Sequence, residues 1–193
     1  MHDISDQDWR QAWQATVDAV GTDFDWPEVA GADVVDASAI RRYLEPLEFD
    51  CALHYDAAVA RAHGYQDIVV PCSAILTFTV APLWQPGQTI FDSAERNARP
   101  ATQATAGLRA PMEPATTGHF ATDIDIEYFT PAVIGDRLTR RGARLVACLP
   151  KETRVGRGAF LTWEQEVVNG HGDLVARTRI GFFRYNPHRK DNP

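Results

Sequence analysis

Residues 71–84 read P-C-S-A-I-L-T-F-T-V-A-P-L-W, and nearly every position in this stretch is apolar or small. A helix that is apolar on all of its faces is a buried helix, so the stretch predicts a buried helix over Cys72–Trp84. Pro71 suits the first turn of such a helix, and Pro82 would kink or end it. The rest of the fold should therefore be arranged around this helix.

Downstream of this helix the hydrophobic pattern becomes typical of strands. Apolar and polar residues alternate from Phe120 to Tyr128, which predicts a half-buried strand. Three further strands are predicted over Leu138–Leu149, which Pro150 ends, over Ala159–Val168 and over Leu174–Tyr185. The run Asn169–Asp173 (N-G-H-G-D) predicts a hairpin turn between the last two, because its glycines tolerate a positive φ. Such an antiparallel sheet has to bury one face, and it can wrap the buried helix, which gives one α+β domain.

The N-terminal segment predicts a helix that precedes this domain. An apolar stripe with a spacing of roughly four residues predicts a helix over residues 4–20, with members Ile4, Trp9, Trp13 and Val17. Ser5 is its expected N-cap and Gly21 its expected stop. The predicted organisation is therefore a helical extension, a main domain and a C-terminal tail, over residues 1–35, 36–186 and 187–193.

Two short helices are predicted between the extension and the buried helix. Asp36 or Ser38 is placed to cap the first of them, and Asp56 to cap the second over Ala57–His63. Gly64 follows the second helix and suits its C-terminal end, where a left-handed residue is common. His63 lies in the last turn, where a cation is favoured by the helix dipole.

Composition limits the classes of function. The chain has 193 residues, 45% hydrophobic and 23% charged, as expected for a soluble globular domain. Its net charge of −7 opposes a nucleic-acid role that rests on phosphate neutralisation. Three cysteines without metal-ligand spacing suit free thiols in a reducing compartment. The polar, acidic N-terminus is not a secretory signal, and no stretch approaches the roughly 20 apolar residues that span a bilayer. We expect a cytoplasmic protein with no membrane partner and no metal site.

Ionisable and nucleophilic residues concentrate in residues 47–75. His54 is the candidate general acid or base, because imidazole titrates near neutrality. Asp50 and Glu48 are the candidate carboxylates that would orient it. The alternative is a histidine at a helix entrance whose ring is satisfied by the backbone. A nucleophilic pair of Cys51 and His54 is weaker, because a spacing of three does not by itself bring two side chains together.

Further candidate groups lie at the start of the buried helix and on the strands. Backbone N–H groups of Cys72 and Ser73 would be unpaired at the positive end of the helix and would suit an oxyanion. His119 heads the first long strand and is a candidate for lining a substrate tunnel. A cluster of arginines is a candidate site for the phosphates of a ligand, although an arginine-rich strand is more often a solvated face; its members are Arg137, Arg140, Arg141 and Arg144.

Three motifs follow one another along the chain in a familiar order. Residues 54–65 read H-Y-D-A-A-V-A-R-A-H-G-Y, residues 68–71 read I-V-V-P, and residues 128–136 read Y-F-T-P-A-V-I-G-D. They resemble the helix H-x-D-x-x-x-A-x-x-x-G-[FY], the lead into the central helix and the turn F-x-P-x-x-x-G-D of the MaoC-like hydratase/dehydratase family. The resemblance is closest to its FAS1-like dehydratase N-terminal type and covers roughly residues 36–185.

This resemblance implies the hotdog fold, in which an antiparallel sheet wraps a long central helix. It implies that water is added to, or removed from, the α,β double bond of an acyl thioester carried by coenzyme A or an acyl carrier protein, with no other cofactor. It also implies pairing, as a homodimer or with another hotdog chain, and a tunnel for the thioester at the interface. Cys51, Tyr55 and His119 are then expected to contact the substrate.

The chain departs from the family at one motif. Active members carry G-D-x-N-P-[IL]-H, whereas residues 48–54 read E-F-D-C-A-L-H, so that Phe49 replaces the aspartate and Cys51 the asparagine. The first hypothesis is a hydratase/dehydratase in which His54 is aided by Asp50 or Glu48. The second is a non-catalytic hotdog subunit that pairs with an active MaoC-like chain and shapes the acyl tunnel. A thioesterase on the same fold is a third and weaker hypothesis.

Overall fold

The fold is taken from a computed structural model, which describes residues 8–91, 93–98, 100 and 108–188 of the chain. Four α-helices lie at Asp8–Gln11 (α1), Gln14–Asp18 (α2), Ala37–Leu44 (α3) and Ala57–Ala62 (α4). Three 3₁₀ segments lie at Glu45–Leu47, at Ala52–His54 and at Cys72–Thr79, the last of which we call the central helix. The strands are Val29–Ala30 (β1), Gly118–Tyr128 (β2), Thr139–Thr153 (β3), Gly156–Val168 (β4) and Leu174–Pro187 (β5).

One antiparallel sheet organises the chain, as predicted. Its strand order is β1-β3-β4-β5-β2, and β2 is therefore an edge strand. The predicted hairpin between β4 and β5 is confirmed, because Asn169 N–H donates to the Asp173 carbonyl at 3.1 Å and Gly172 has a φ of 88°. Strand β1 has only two residues and lies within the segment 1–35 that precedes the predicted main domain.

The inner face of the sheet carries two apolar clusters. On β4 the inner positions alternate with outer ones and read Ala159, Leu161, Trp163, Gln165 and Val167. The first cluster packs the central helix and α3 against one end of this face, with Ile40, Ile75 and Val167 fully covered. The second packs the N-terminal helices against the other end, with Trp13 and Leu145 in its centre. A cavity separates the two clusters and is described below.

The central helix is shorter and less covered than predicted. It ends at Thr79 rather than at Trp84, and it has 3₁₀ geometry. Ala74 and Ile75 are buried against the sheet, whereas Trp84 remains 49% exposed. The prediction of burial on every face was wrong for the single chain, because the sheet covers only one side of the helix. Pro82 lies beyond the helix end, which agrees with the expected stop.

A bulge in β2 changes which face its side chains occupy. The alternating pattern predicts Phe120 and Ile124 on one face, but the register with β5 shifts between Ala121 and Ile124. Phe120 therefore packs on Phe183 at a ring distance of 5.6 Å, on the outer face, while Ile124 pairs with Ile180 on the inner face. The prediction of a half-buried strand was also wrong, because no described strand pairs with the outer edge of β2 and Ile124 is 54% exposed.

Strand β3 continues through Pro150, where the sequence predicts an end. Pro150 pairs with Ala159 inside β3. Proline cannot donate a ladder hydrogen bond, but it is tolerated on an edge. Because β1 pairs only with Thr139 and Arg140, the far half of β3 is such an edge.

The N-terminal segment packs on its own domain. The predicted single helix is two short helices, α1 and α2, and the expected N-cap Ser5 lies outside the described residues. Trp13 is only 3% exposed within the second apolar cluster. Gly21 ends the helical segment with a φ of 90° and donates its N–H to the Leu145 carbonyl at 2.8 Å. The boundary between extension and main domain at residue 36 remains a prediction.

Candidate functional site

Val69 fixes the position of His54. The Val69 N–H donates to the Leu53 carbonyl at 3.0 Å, and the Val69 carbonyl lies 2.7 Å from Nδ1 of His54. Val69 therefore hydrogen-bonds both to the backbone of the 3₁₀ turn that carries His54 and to the imidazole ring of His54. The histidine is half-buried, and the Phe49 ring packs on its imidazole at 5.6 Å.

The turn at residues 128–136 fixes the backbone on both sides of Val69. Val70 N–H donates to the Ala132 carbonyl at 2.8 Å, and Ile134 N–H donates to the Ile68 carbonyl at 3.0 Å. Gly135 adopts a φ of 90°, which a glycine tolerates without strain. The three sequence motifs are far apart in the chain, and the structure brings them together around His54.

The hydrogen bond to Val69 also fixes the tautomer of His54. A carbonyl oxygen can only accept a hydrogen bond, so Nδ1 carries the proton when the ring is neutral. Nε2 then has a free lone pair, and it makes no hydrogen bond with any residue that the structure describes. The backbone, rather than a carboxylate, therefore orients a ring that can accept a proton at Nε2.

The two candidate carboxylates are not bound to His54 in the structure. Asp50 and Glu48 are both exposed, and among the described residues neither of them hydrogen-bonds to the imidazole. Glu48 ends the 3₁₀ turn at Glu45–Leu47 with a left-handed φ of 49°. A catalytic role for either carboxylate remains a prediction.

The start of the central helix lies near a tyrosine that the sequence reasoning missed. Cys72 and Ser73 are exposed, and their backbone N–H groups have no hydrogen-bond partner among the described residues. Burial raises the pKa of the Tyr128 hydroxyl, with smaller contributions from nearby Cys72 and Tyr43. A tyrosine hydroxyl is protonated at neutral pH in any case, because its ordinary pKa is about 10, so Tyr128 can donate a hydrogen bond near Cys72. The sequence could have identified Tyr128 as a candidate, because it is the first residue of the motif at residues 128–136.

Of three other predicted contact residues, Cys51 and Tyr55 flank the turn that carries His54, whereas His119 lies far from it. The Tyr55 hydroxyl donates to the Phe49 carbonyl at 2.7 Å, which closes the loop before His54. Cys51 is half-buried immediately before the same 3₁₀ turn. His119 is exposed nine residues along β2 from Tyr128, roughly 30 Å away at the usual rise of a strand. Contact of any of these three with substrate remains a prediction.

The structure divides the predicted arginine cluster. Arg137 donates to the Gly31 carbonyl at 2.9 Å. Arg141 and Arg144 lie on the outer face, where their ion-pair partners are Glu166 and Asp23 respectively. Arg140 lies on the inner face. The four side chains therefore do not form one phosphate site, because the strand alternates its faces and has a bulge between Arg141 and Arg144.

Two predicted helix-end roles are confirmed. The Asp56 carboxylate accepts the N–H groups of Ala58 and Val59 at 2.7 and 3.3 Å, as an N-cap does. Nδ1 of His63 lies 2.9 Å from the Val59 carbonyl at the C-terminal end of α4. Both residues therefore have structural partners that account for their positions.

Comparison with known proteins assigns the family. A family model described as "FAS1-like, dehydratase domain region" matches residues 19–178. The chain thus belongs to the FAS1-like dehydratase type of the MaoC-like hydratase/dehydratase family. A "Probable enoyl-CoA hydratase alpha subunit" of Thermomonospora curvata is 26% identical over 161 residues, which are 83% of this chain and 48% of the relative. The chain spans about half the length of this curated relative.

Solved structures confirm the hotdog fold. A chain of the ChsH1-ChsH2 complex from Mycobacterium tuberculosis superposes with a TM-score of 0.61 at 19% identity, covering 97% of this chain and 96% of that one. A MaoC-like dehydratase from Rhodospirillum rubrum gives a TM-score of 0.56 at 20% identity, covering 89% of this chain and 95% of that one. In the part of the chain that the structure describes, no helix is both long and apolar enough to cross a membrane.

Proposed function

We propose that this chain hydrates or dehydrates the α,β double bond of an acyl thioester, with His54 as the acid and base. The observation that carries the proposal is the Val69 contact, which leaves Nε2 of His54 unprotonated and free. An unprotonated imidazole nitrogen held in a fixed direction is suited to take a proton from water. The family assignment and the enoyl-CoA hydratase relative support the same reaction class.

In the hydration direction, Nε2 of His54 takes a proton from water while the water oxygen bonds to the β-carbon. The electron pair of the double bond moves to the thioester oxygen. The unpaired N–H groups of Cys72 and Ser73 are the proposed donors to that oxyanion. The imidazolium then returns its proton to the α-carbon, and its charge is stabilised by the Val69 carbonyl. The reactants are water and the acyl group, which coenzyme A or an acyl carrier protein carries, and the step uses no other cofactor.

A partner chain is part of this proposal. The outer edge of β2 pairs with no described strand, and its inner-face residues Ile124 and Tyr128 are 54% and 42% exposed. Trp84, beyond the central helix, is also half exposed. An unpaired edge with apolar side chains is a surface that a second hotdog chain, identical or different, can cover.

The second candidate function is that of a non-catalytic subunit. It is favoured by Phe49 and Cys51, which stand where active family members have aspartate and asparagine, and by the exposure of Asp50 and Glu48. The relative from Thermomonospora curvata is named an alpha subunit, and one structural neighbour is a complex of two named proteins. In this case the chain shapes the acyl tunnel for an active partner.

Hydration of crotonyl-CoA by the purified chain, alone and after co-expression with a second hotdog chain, tests the two functions. Turnover by the chain alone supports the enzyme. Turnover only in the mixed complex, retained after His54→Ala in this chain, supports the non-catalytic subunit. Absence of turnover in both preparations, with crotonyl-CoA and with longer enoyl-CoA substrates, contradicts the hydratase proposal.

A further inference from the structure

The cavity between the two apolar clusters has no role in the site described above. Its volume is about 280 Å³, close to the lower end of the range for small-molecule sites. Its apolar walls are formed by Leu76 of the central helix, by Val80 directly after it, and by Ile180 and Phe182 of β5. His54 is not among its lining residues. Ile124 lines it and is 54% exposed, so the cavity reaches the surface beside β2.

Two hydrogen-bond donors in the wall of this cavity have no partner. Nε1 of Trp163 and Nε of Arg140 are both buried, and neither is hydrogen-bonded within the described residues. Trp163 is only 1% exposed, so solvent does not supply the missing acceptor. Buried donors that remain unpaired are costly to the fold. Both groups can only donate, so the partner that fits them is an acceptor.

The charge of Arg140 indicates which kind of acceptor fits. Arg141 and Arg144 on the same strand have carboxylate partners, whereas Arg140 forms no ion pair with a described residue. Partial burial lowers the pKa of Arg140, because its charged form is less well hydrated than in water. A partly buried cation is stabilised by an anion of suitable geometry, and a guanidinium is matched best by a carboxylate or a phosphate. A small, mostly apolar cavity favours the carboxylate, which is the less strongly hydrated of the two.

We propose that this cavity binds an apolar chain that ends in a carboxylate, with the carboxylate bound by Arg140 and Trp163. About four to eight carbons of this chain fit within the small volume of the cavity. Two molecules have this chemistry: a free carboxylic acid, or an acyl thioester whose far end carries a second carboxylate. The binding of a free acid is independent of the hydratase proposal, whereas the thioester form rests on it.

The position of the cavity permits the thioester form. The central helix runs from Cys72 to Thr79, about 14 Å at the 3₁₀ rise, and Thr79 lines the cavity. Along β2, Tyr128 lies near Cys72 and Ile124 lines the cavity, about 13 Å away. An acyl chain that begins at the Cys72 amides and follows the helix therefore has to span about 14 Å, roughly twelve carbons, for its far end to enter the cavity that Arg140 lines.

Calorimetry with a matched pair of ligands tests the recognition of the carboxylate. We expect the wild-type protein to bind octanoate at least about tenfold more tightly than octan-1-ol, as one charge-assisted hydrogen bond predicts. Arg140→Met and Trp163→Phe should each weaken octanoate binding and leave octan-1-ol binding unchanged. Arg141→Met is the matched control on the outer face and should behave like wild type. Equal affinities of the wild type for both ligands, or loss of octanoate binding in Arg141→Met, would overturn the proposal.

A second pair of ligands distinguishes the free acid from the thioester. Dodecanoyl-CoA and dodecanedioyl-CoA are saturated, so neither can be hydrated and only binding is measured. Tighter binding of dodecanedioyl-CoA that Arg140→Met abolishes identifies the cavity as the far end of the substrate site. Equal binding of both thioesters identifies the free acid as the ligand. If neither thioester binds while octanoate does, the hydratase proposal fails and the cavity proposal stands.

Discussion

Val69 holds His54 through two backbone contacts, one to the ring and one to the residue before it. The 2.7 Å contact from Nδ1 to the Val69 carbonyl predicts that neutral His54 is protonated at Nδ1. Long-range ¹⁵N–¹H correlation spectra assigned by His54→Gln check this directly. In the neutral ring we expect a protonated, pyrrole-type Nδ1 and an unprotonated Nε2. A ring protonated at Nε2 would contradict the proposed route of the proton.

The environment of His54 was predictable from the sequence only in part. The three motifs identified the segments that surround His54, because residues 54–65, 68–71 and 128–136 meet around Val69. A ring satisfied by the backbone was the alternative interpretation of His54, and the contact with Val69 agrees with it. The sequence could not identify which carbonyl is the partner of Nδ1, since that contact depends on the exact path of residue 69. The carboxylates at 48 and 50 are close to His54 in sequence, but the chain turns them to solvent.

Face assignments failed where a strand has a bulge. Strict alternation places Phe120 and Ile124 on the same face of the sheet, but the extra residue before Ile124 moves them to opposite faces. The same alternation, applied correctly to Arg140 and Arg141, would have separated them. Burial of the central helix was overestimated for another reason, because an apolar surface is also expected where a second chain packs.

The three cysteines should differ in reactivity with a thiol reagent. Burial, and to a lesser extent Glu113, raises the pKa of the Cys148 thiol to about 12. Only the thiolate reacts, and at pH 8 about one Cys148 in ten thousand is ionised. Iodoacetamide should therefore modify the exposed Cys72 first and leave Cys148 unmodified in the folded protein. Mass spectrometry of the native and urea-unfolded protein measures this. Early modification of Cys148 in the native protein would contradict its burial.

The same pKa has a consequence for stability at high pH. Since folding raises the pKa of Cys148, the folded state favours the neutral thiol. Its stabilising contribution is complete below about pH 9 and is lost as the pH rises through about 12. In Cys148→Ala this part of the alkaline destabilisation should be absent. Identical losses in wild type and variant between pH 9 and 11 would contradict the shift.

If the partner of Arg140 is a ligand, the unpaired Arg140 side chain should make the ligand-free protein less stable to unfolding. Arg140 is a partly buried cation whose Nε is buried without a partner among the described residues, so an apolar residue of similar length removes part of the desolvation penalty. The melting temperature of ligand-free Arg140→Met should therefore equal or exceed that of wild type. Arg141→Met, which loses the ion pair to Glu166, is the control and should not gain stability. A melting temperature of Arg140→Met well below that of Arg141→Met would assign Arg140 a structural role.

The ion pair between Glu113 and Arg184 should contribute more to the free energy of unfolding than the ion pairs on the surface. Glu113 accepts the Ala110 N–H at 2.7 Å and is paired with the 6%-exposed Arg184 at 3.0 Å. Removal of one partner of a buried pair costs about 3 kcal/mol, so Glu113→Ala should lower the free energy of unfolding by this amount. Glu127→Ala, which removes an exposed pair with Arg177, should cost less than about 1 kcal/mol. Urea unfolding measures both, and equal losses would contradict the difference in burial.

The role of His54 is tested most directly by turnover of crotonyl-CoA in the preparation that hydrates it, comparing His54→Ala with wild type. His63→Ala is the matched control, because the His63 ring also lies against a backbone carbonyl but at the end of α4. We predict a fall in turnover of about 100-fold or more for His54→Ala, as expected for loss of a general base, and no change for His63→Ala. Unchanged turnover in His54→Ala would contradict the proposed mechanism.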